Sequence, residues 1–494
     1  MKIAAVLYCE DGFTDGHLEF NGRSSVTFLE ERLHELSDIS MTAISLPSSY
    51  QGNLSSHKNV FIRTADDITF WKDIAVKTGA DHCIRIFADA PFAETQIVKE
   101  MLDIHLKYSA EFTYSENLPS GLSCEIISCE LIKSLPDADE KRLPLAQVIK
   151  SNINQFDVEL FYKGPDIRDK RIFFRTSNPR EKKIMEALYA IEGGVPAYEK
   201  LHPLIEKHCE ILYLGPSYVE LELTGRADIT SLYSWRKGIK DLRGDMDIAL
   251  FKKIISEMTS FGLPYAVCLG GSGDPMMHPS FFEALDLLRG EQLIHTIFIE
   301  TDGIYADENF RSYMSRCNDS KIKVIVDMSG YSRETYQALH GSDSFDKILV
   351  NVQALRSVFG EKSDRLFVQI MKINETEKNI DAYYDFWEAQ KVQIILQKQN
   401  TCLGAVEDRR YYDLTPLDRV PCWHLQRDLF ILADGRIGFC KQDINGEWSN
   451  GNCAISSLSD IWAQRKDNFI QDCRGKRSVT PDCAVCDEWY TFNM

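Results

Sequence analysis

The sequence predicts an α/β protein in three parts: an N-terminal α/β layer domain, a partial (β/α)6 barrel and a small cysteine-rich C-terminal domain. Three observations predict it. Apolar strand-like runs and helix-like stretches alternate six times between residues 218 and 400. Strand and helix patterns also alternate through residues 1–205. Cys422, Cys440, Cys453, Cys473, Cys483 and Cys486 crowd into the tail. The expected domains are 1–205, 206–410 and 411–494, because 494 residues are too many for one ordinary core.

In the first part, Ile3–Tyr8 reads as a buried strand. Glu10 and Asp11 end that apolar run too early for a signal peptide. Ser25–Leu36 has helical spacing, with Val26, Leu29, Leu33 and Leu36 on one side. Cys83–Phe87 is a strand that ends in Ala88-Asp89-Ala90-Pro91, and Thr95–Leu106 is a helix. An aspartate at the carboxyl end of a strand is well placed to hold Mg²⁺ against a phosphate, and such residues also serve as plain turn formers.

The stretches DHCIRIFADAPF (81–92) and PSGLSCEIIS (119–128) resemble the cytidylyltransferases that activate sugars, particularly the spore-coat polysaccharide type. The resemblance implies a nucleotidyltransferase-like fold and assigns Asp89 to a metal. The loop after the first strand, CEDGFTDGHLEFNGR, carries Glu10, Asp11 and Asp15 and no lysine or arginine before Arg23. Those acids would repel a triphosphate, so the fold is expected here without efficient nucleotidyl transfer.

The expected barrel strands are Tyr218–Thr224, Tyr265–Leu269, Thr296–Glu300, Lys323–Met328, Leu366–Met371 and Gln393–Gln397. Most are continuous apolar runs, as parallel strands covered on both faces require. Helical stretches such as Met246–Phe261, Ser280–Leu288, Phe345–Val358 and Ile380–Gln390 lie between them. Thr224, Gly271, Thr301 and Ser329 should share the rim at the strands' carboxyl ends.

The first of these strands runs into a loop holding Ala227, Ser231 and Ser234, at the spacing x3 then x2. This segment resembles the radical S-adenosylmethionine (SAM) enzymes, where a strand ending in E-x-T runs into C-x3-C-x2-C and three thiolates hold a 4Fe–4S cluster. LGGSGDPMMHP (269–279), IETDG (299–303) and DMSGYSRETYQALHG (327–341) resemble that family's later motifs. The resemblance places SAM at Gly271, Gly273 and Asp274. Alanine offers no ligand atom and serine is a poor substitute for a soft thiolate. SAM cleavage is therefore not expected, and at most weak binding of SAM or a related nucleotide remains.

The tail contains PCWHLQRDLFILADGRIGFC (421–440) and PDCAVCDEW (481–489). Asp434-Gly435 reads as a hairpin turn between strands 430–432 and 436–439. Cys483-x2-Cys486 brings two thiolates to one metal. The pattern resembles the SPASM domain, and the resemblance implies one auxiliary 4Fe–4S cluster on Cys422, Cys440, Cys483 and Cys486. Cys453 and Cys473 remain as spares, and a zinc ion held by four cysteines is the rival. A nucleotidyltransferase-like domain, a radical SAM-like barrel and a SPASM tail, in this order, resemble the spiro-SPASM proteins.

The formal net charge of −18 argues against a nucleic-acid binder, and the cluster Arg180, Lys182 and Lys183 is interrupted by Glu181. No apolar run approaches the length of a membrane span, and a cytoplasmic location is expected. Two functions compete. One is an iron–sulfur protein with a degenerate SAM-cluster site that binds a peptide, nucleotide or partner and passes electrons through one cluster. The other is a sugar-nucleotide cytidylyltransferase with the later domains as a recognition module. Whether the chain is an enzyme stays open.

Overall fold

Ile3–Tyr8 (β1) is buried along its whole length, as a central parallel strand must be when both faces are covered. It belongs to the first of two compact units, Met1–Ile211 and Leu212–Met494. The computed structural model describes residues 1–54, 57–137, 143–360, 363–412, 415–476 and 481–491.

In the first unit, Glu19–Phe20 (β2) and Arg23–Ser24 (β3) make a small hairpin. Met41–Pro47 (β4), Val60–Arg63 (β5), His82–Phe87 (β6), Phe112–Ser115 (β7), Glu125–Ser128 (β8) and Val158–Phe161 (β9) join β1 in a sheet ordered β5-β4-β1-β6-β8-β7-β9. β1 lies parallel to β4 and β6, and β8 runs antiparallel to both of its neighbours. The first helix is Ser25–Leu33, ending three residues before the expected Leu36. The helix Thr95–Lys107 follows its apolar spacing, with Ile97, Val98, Met101 and Leu102 buried. Arg180, Lys182 and Lys183 lie on the helix Pro179–Glu192, where Lys182 pairs with Glu19.

In the second unit, Tyr218–Glu222 (β10), Tyr265–Gly270 (β11), Ile294–Thr301 (β12), Ile322–Asp327 (β13), Leu366–Lys372 (β14) and Gln393–Lys398 (β15) are parallel and stand in chain order. This is an open (β/α)6 partial barrel. Helices such as Ile248–Thr259, Phe281–Gly290, Phe345–Phe359 and Ile380–Ala389 return the chain between strands. Asp247 and Asp307 cap helix starts by accepting from Ala249 N and Asn309 N, both at 2.9 Å. Strand alternation turns Tyr218 inward, where it clusters with Ala266, Cys268 and Phe298, and carries Glu220 and Glu222 to the same face.

The sheet does not stop at the barrel. Asp428–Ile431 (β16) pairs in parallel with β10, with Tyr218 opposite Asp428. Arg436–Gly438 (β17) and Gly451–Asn452 (β18) extend it antiparallel. Gly435 turns the β16–β17 hairpin at φ +83, a conformation that glycine adopts without strain. The helix Leu458–Cys473 packs Trp462 on Tyr213 with ring centroids 4.7 Å apart, and Trp462 Nε1 donates to Leu214 O. Strands between residues 428 and 452 thus continue the sheet begun by the barrel. No helix among the described residues is long and apolar enough to cross a membrane.

Candidate functional site

The loops after β10, β11, β12 and β13 meet at one rim. Thr224 O lies against Gly273 there, and Thr301 Oγ1 donates 2.7 Å to Asp274 Oδ2. Ser329, just past β13, receives Met371 N at 3.0 Å from β14. The rim opens on a cavity of about 190 Å³.

Ala227, Ser231 and Ser234 all line this cavity. The structure brings the three substituted positions together, and it also shows what the serines do. Ser234 Oγ accepts from Arg236 N at 3.3 Å and starts a short 3-10 turn. Ser231 is buried close to the Tyr233 hydroxyl. Arg226 fixes the loop from outside, with two bonds of 3.0 Å to Asp245.

Gly271, Gly273 and Asp274 also line the cavity, but the glycines are needed for a different reason than ligand approach. A Cβ on Gly271 would stand 2.7 Å from Glu222 Cβ, and its φ is +101. A Cβ on Gly273 would strike Thr224 O and Arg226 O and come within 2.7 Å of Arg226 N. The close approach is to the chain's own β10 exit. Asp274 accepts from Met276 N (2.9 Å), Thr301 Oγ1 and Asp302 N (3.1 Å). Its carboxylate also meets that of Asp302. Burial and the Asp274 charge push Asp302 up to about 8, and burial raises Asp274, so the pair holds a proton at neutral pH.

Several residues of the cavity carry no motif signal of their own. Tyr233 Oη donates 2.6 Å to Asp327 Oδ1 and lies 2.7 Å from Ser329 Oγ. Ser329 N donates 3.1 Å to His340 Nε2, which puts the imidazole proton on Nδ1. Burial pushes His340 down to about 3, so it is neutral, and its ring stacks on Tyr336 at 4.3 Å. Burial pushes Asp327 up to about 7. Glu300 faces the cavity from β12. Lys441 enters from the tail, its Nζ 2.9 Å from Glu220 Oε2. Glu300 lies in the segment 299–303, and Asp327, Ser329, Tyr336 and His340 lie in 327–341, whereas nothing in the sequence couples Lys441 to Glu220.

Lys441 directly follows Cys440. The other thiols acting on Cys440 through their charges are those of Cys486, Cys422 and Cys483, so the four cysteines converge. Burial holds Cys422 and Cys440 well above the ordinary thiol range. The loops that carry them are tied down by hydrogen bonds. Cys422 N donates 2.6 Å to Asp472 Oδ2, and Arg419 Nη1 donates 2.6 Å to Cys483 O. Arg465, buried, donates to Asp428 O (2.9 Å) and Phe439 O (3.0 Å). Cys453 is turned elsewhere, its thiol donating to Gly435 O, and Cys473 ends its helix. Among the described residues no three such side chains are already closed into a metal-holding group. A set of four partly buried thiols is nevertheless the donor chemistry that an iron–sulfur cluster requires.

Residues 422–487 match the family model of the iron–sulfur cluster-binding SPASM domain. This part of the tail is similar to a SPASM domain. The match begins on Cys422 and ends one residue past Cys486, so it includes all four convergent thiols. Over 361 residues the chain is 29% identical to an uncharacterized protein of Treponema pallidum (strain Nichols), covering 70% of this chain and 97% of that one. Among solved structures it is similar to SuiB of Streptococcus suis bound to precursor peptide SuiA. That likeness has 13% identity and a TM-score of 0.45, over 69% of this chain and 82% of the other. It is also similar to a cytidylyltransferase from Leptospira borgpetersenii serovar Hardjo-bovis (strain JB197). Here identity is 18% and the TM-score 0.38, over 43% of this chain and 96% of that one. An α/β unit, a six-stranded parallel barrel and a SPASM-like tail stand in the order that the spiro-SPASM resemblance implies.

In the first unit, Asp89 is fully buried at the end of β6. Arg175 Nε donates 2.5 Å to its Oδ1 and Ser177 N 3.2 Å to its Oδ2. The same guanidinium donates 2.9 Å to Glu10 and lies 3.6 Å over the Phe87 ring. The position that the sequence assigns to a metal is thus neutralised by an arginine 86 residues downstream.

Proposed function

We propose that this chain is an iron–sulfur protein of radical SAM–SPASM type whose barrel does not cleave SAM and serves as a binding cavity, with one 4Fe–4S cluster held by Cys422, Cys440, Cys483 and Cys486. The observation that carries the reading is the loop after β10, where Ala227, Ser231 and Ser234 line the cavity and offer no thiolate, and where Ser234 Oγ accepts from Arg236 N. A barrel cluster would need three thiolates at those positions. When bound, the tail cluster supplies a one-electron couple. The chain's own residues do the rest: Arg419 and Asp472 hold the thiol-bearing loops, and Lys441 reaches from Cys440 to the cavity wall. The occupant is a peptide, a small molecule or a protein segment.

The competing reading, cytidylyl transfer by the first unit, needs Asp89 to bind a divalent ion. Arg175 already satisfies both Asp89 and Glu10, which favours the first reading. Anaerobic purification followed by iron and acid-labile sulfide analysis tests it. About four irons and four sulfides per chain are expected, from one cluster bound by four cysteines. No 5′-deoxyadenosine should form with SAM and dithionite. Stoichiometric zinc in place of iron would overturn the cluster assignment, and SAM cleavage would overturn the barrel assignment.

A further inference from the structure

We propose that the barrel cavity is a receptor site for a primary ammonium group on a short aliphatic arm, held by Glu300 and Asp327. This deepens the reading of the barrel as a binding cavity and rests on it.

The argument begins with the inward faces of the strands. Glu300 is paired in register with Ile325, so Asp327 lies one inward position further along the neighbouring strand. Asp327 is in turn opposite Gln369 on β14. Glu300, Asp327 and Gln369 therefore form a continuous polar band, and all three line the cavity. Among the described residues no hydrogen bond engages the Glu300 carboxylate. Deeper in the barrel, Glu220 is 1% exposed and its Oε1 has no hydrogen-bond partner.

The cations in the wall are already used. Lys441 is paired with Glu220, and Lys398 lies 2.9 Å from Glu488 Oε1 and donates 3.0 Å to Asp487 O. No other lysine or arginine lines the cavity among the described residues, whereas Asp274, Glu300, Asp302 and Asp327 all do. Asp274 is buried and the other three are partly buried, and an excess of carboxylate so placed is costly unless a cation or protons neutralise it. The remaining wall is apolar, with Ile325, Met371, Ile395 and Trp235, and suits an alkyl chain. At about 190 Å³ the cavity is somewhat larger than one that holds benzene (~150 Å³), which is room for one long side chain or a small amine.

The charge states agree. Asp327 is faced by Tyr233 from the loop after β10 and by Glu300 from β12. Tyr336 and His340 approach from the helix Arg333–His340, and Tyr383 from the helix Ile380–Ala389. None of these is a cation, because burial keeps His340 neutral. Asp327 at about 7 and Asp302 at about 8 thus hold protons where a cation is missing. An entering ammonium displaces protons, so affinity rises as pH rises through this range.

Calorimetric titration of the full-length, anaerobically purified chain tests this. The probes are 1,5-diaminopentane, Nα-acetyl-lysine amide and the uncharged Nα-acetyl-norleucine amide. At least one amine should bind at least 100-fold more tightly than the norleucine compound, with net proton release near pH 7 in buffers of different ionisation heat. Preference for the diamine or for the lysine amide identifies a free amine or a peptide-borne side chain as the source. Glu300→Gln should weaken amine binding at least 10-fold while leaving iron content unchanged. Equal binding of the norleucine compound, no amine binding at millimolar concentration, or full affinity in Glu300→Gln would overturn the proposal. Iron content and 5′-deoxyadenosine assays report on the underlying reading separately, so the two can fail independently.

Discussion

Lys441 Nζ lies 2.9 Å from Glu220 Oε2, joining the residue after a SPASM cysteine to the first barrel strand, 221 positions earlier. Burial pushes Glu220 up to about 7 even beside this partner, while Glu220 and Glu300 together hold Lys441 above its usual range. Lys441 is therefore charged, and Glu220 is the carboxylate that it pairs with. Removing the lysine strands a buried acid. Lys441→Met should destabilise the second unit by about 3–5 kcal/mol. The double change Lys441→Met with Glu220→Leu should recover most of that loss. Urea unfolding of the two variants checks this, and a double variant as unstable as the single one would count against it.

Cys483→Ala should lose most of its iron and lower the melting temperature of the tail, because ligation contributes directly to the folding of a small metal domain. Cys317→Ser is the control. Its thiol only contacts Met314 O at 3.5 Å, in the helix Glu308–Cys317. Iron and sulfide assays on the two variants should differ by nearly the whole cluster.

Asp327 links stability to pH with a definite sign. Its folded-state value of about 7 lies above the ordinary aspartate value of 3.8, so the folded chain binds this proton more tightly than the unfolded one. Stability from this group is present below about 4 and is lost as pH rises to about 7. Asp327→Asn keeps an acceptor for Tyr233 and removes the charge. It should be close to neutral at pH 4 and stabilise at pH 8 by about 3–4 kcal/mol. Equal shifts in melting temperature at both pH values would contradict the assignment.

Arg175 stands where a cation is needed between Asp89 and Glu10. Arg175→Ala leaves the buried Asp89 charge without its partner and should cost about 3–5 kcal/mol. Millimolar Mg²⁺ should restore part of that stability in the variant and leave the parent chain unchanged. Thermal melts with and without Mg²⁺ measure both effects, and a variant indifferent to Mg²⁺ would show that the carboxylates do not form a latent metal site.

Gly273→Ala sets a Cβ against Thr224 O and Arg226 O, both backbone atoms that cannot swing away. It should destabilise the barrel by about 2–4 kcal/mol through overpacking. Gly290→Ala, with nothing within 4 Å of its Cβ, should be tolerated. Comparable melting temperatures for the two variants would mean that the β11 loop does not lie against the β10 exit.

The sequence by itself determined the elements whose signal is local. β1 and the six barrel strands are apolar runs with turn residues after them, and they form within one to three residues of their expected ends. The approach of Ala227, Ser231 and Ser234 to one cavity was legible because the fixed spacing of one loop carries it. Only the tertiary structure decided which charges meet. Arg175 reaches Asp89 across 86 residues, and Lys441 reaches Glu220 across 221. It also decided that β16 joins the barrel sheet at β10, and that Gly271 and Gly273 make room for Glu222 and Thr224. Periodicity reports which face of an element is buried. It does not report which distant side chain is buried against that face, because that depends on how the layers stack and which strand edges remain to be paired.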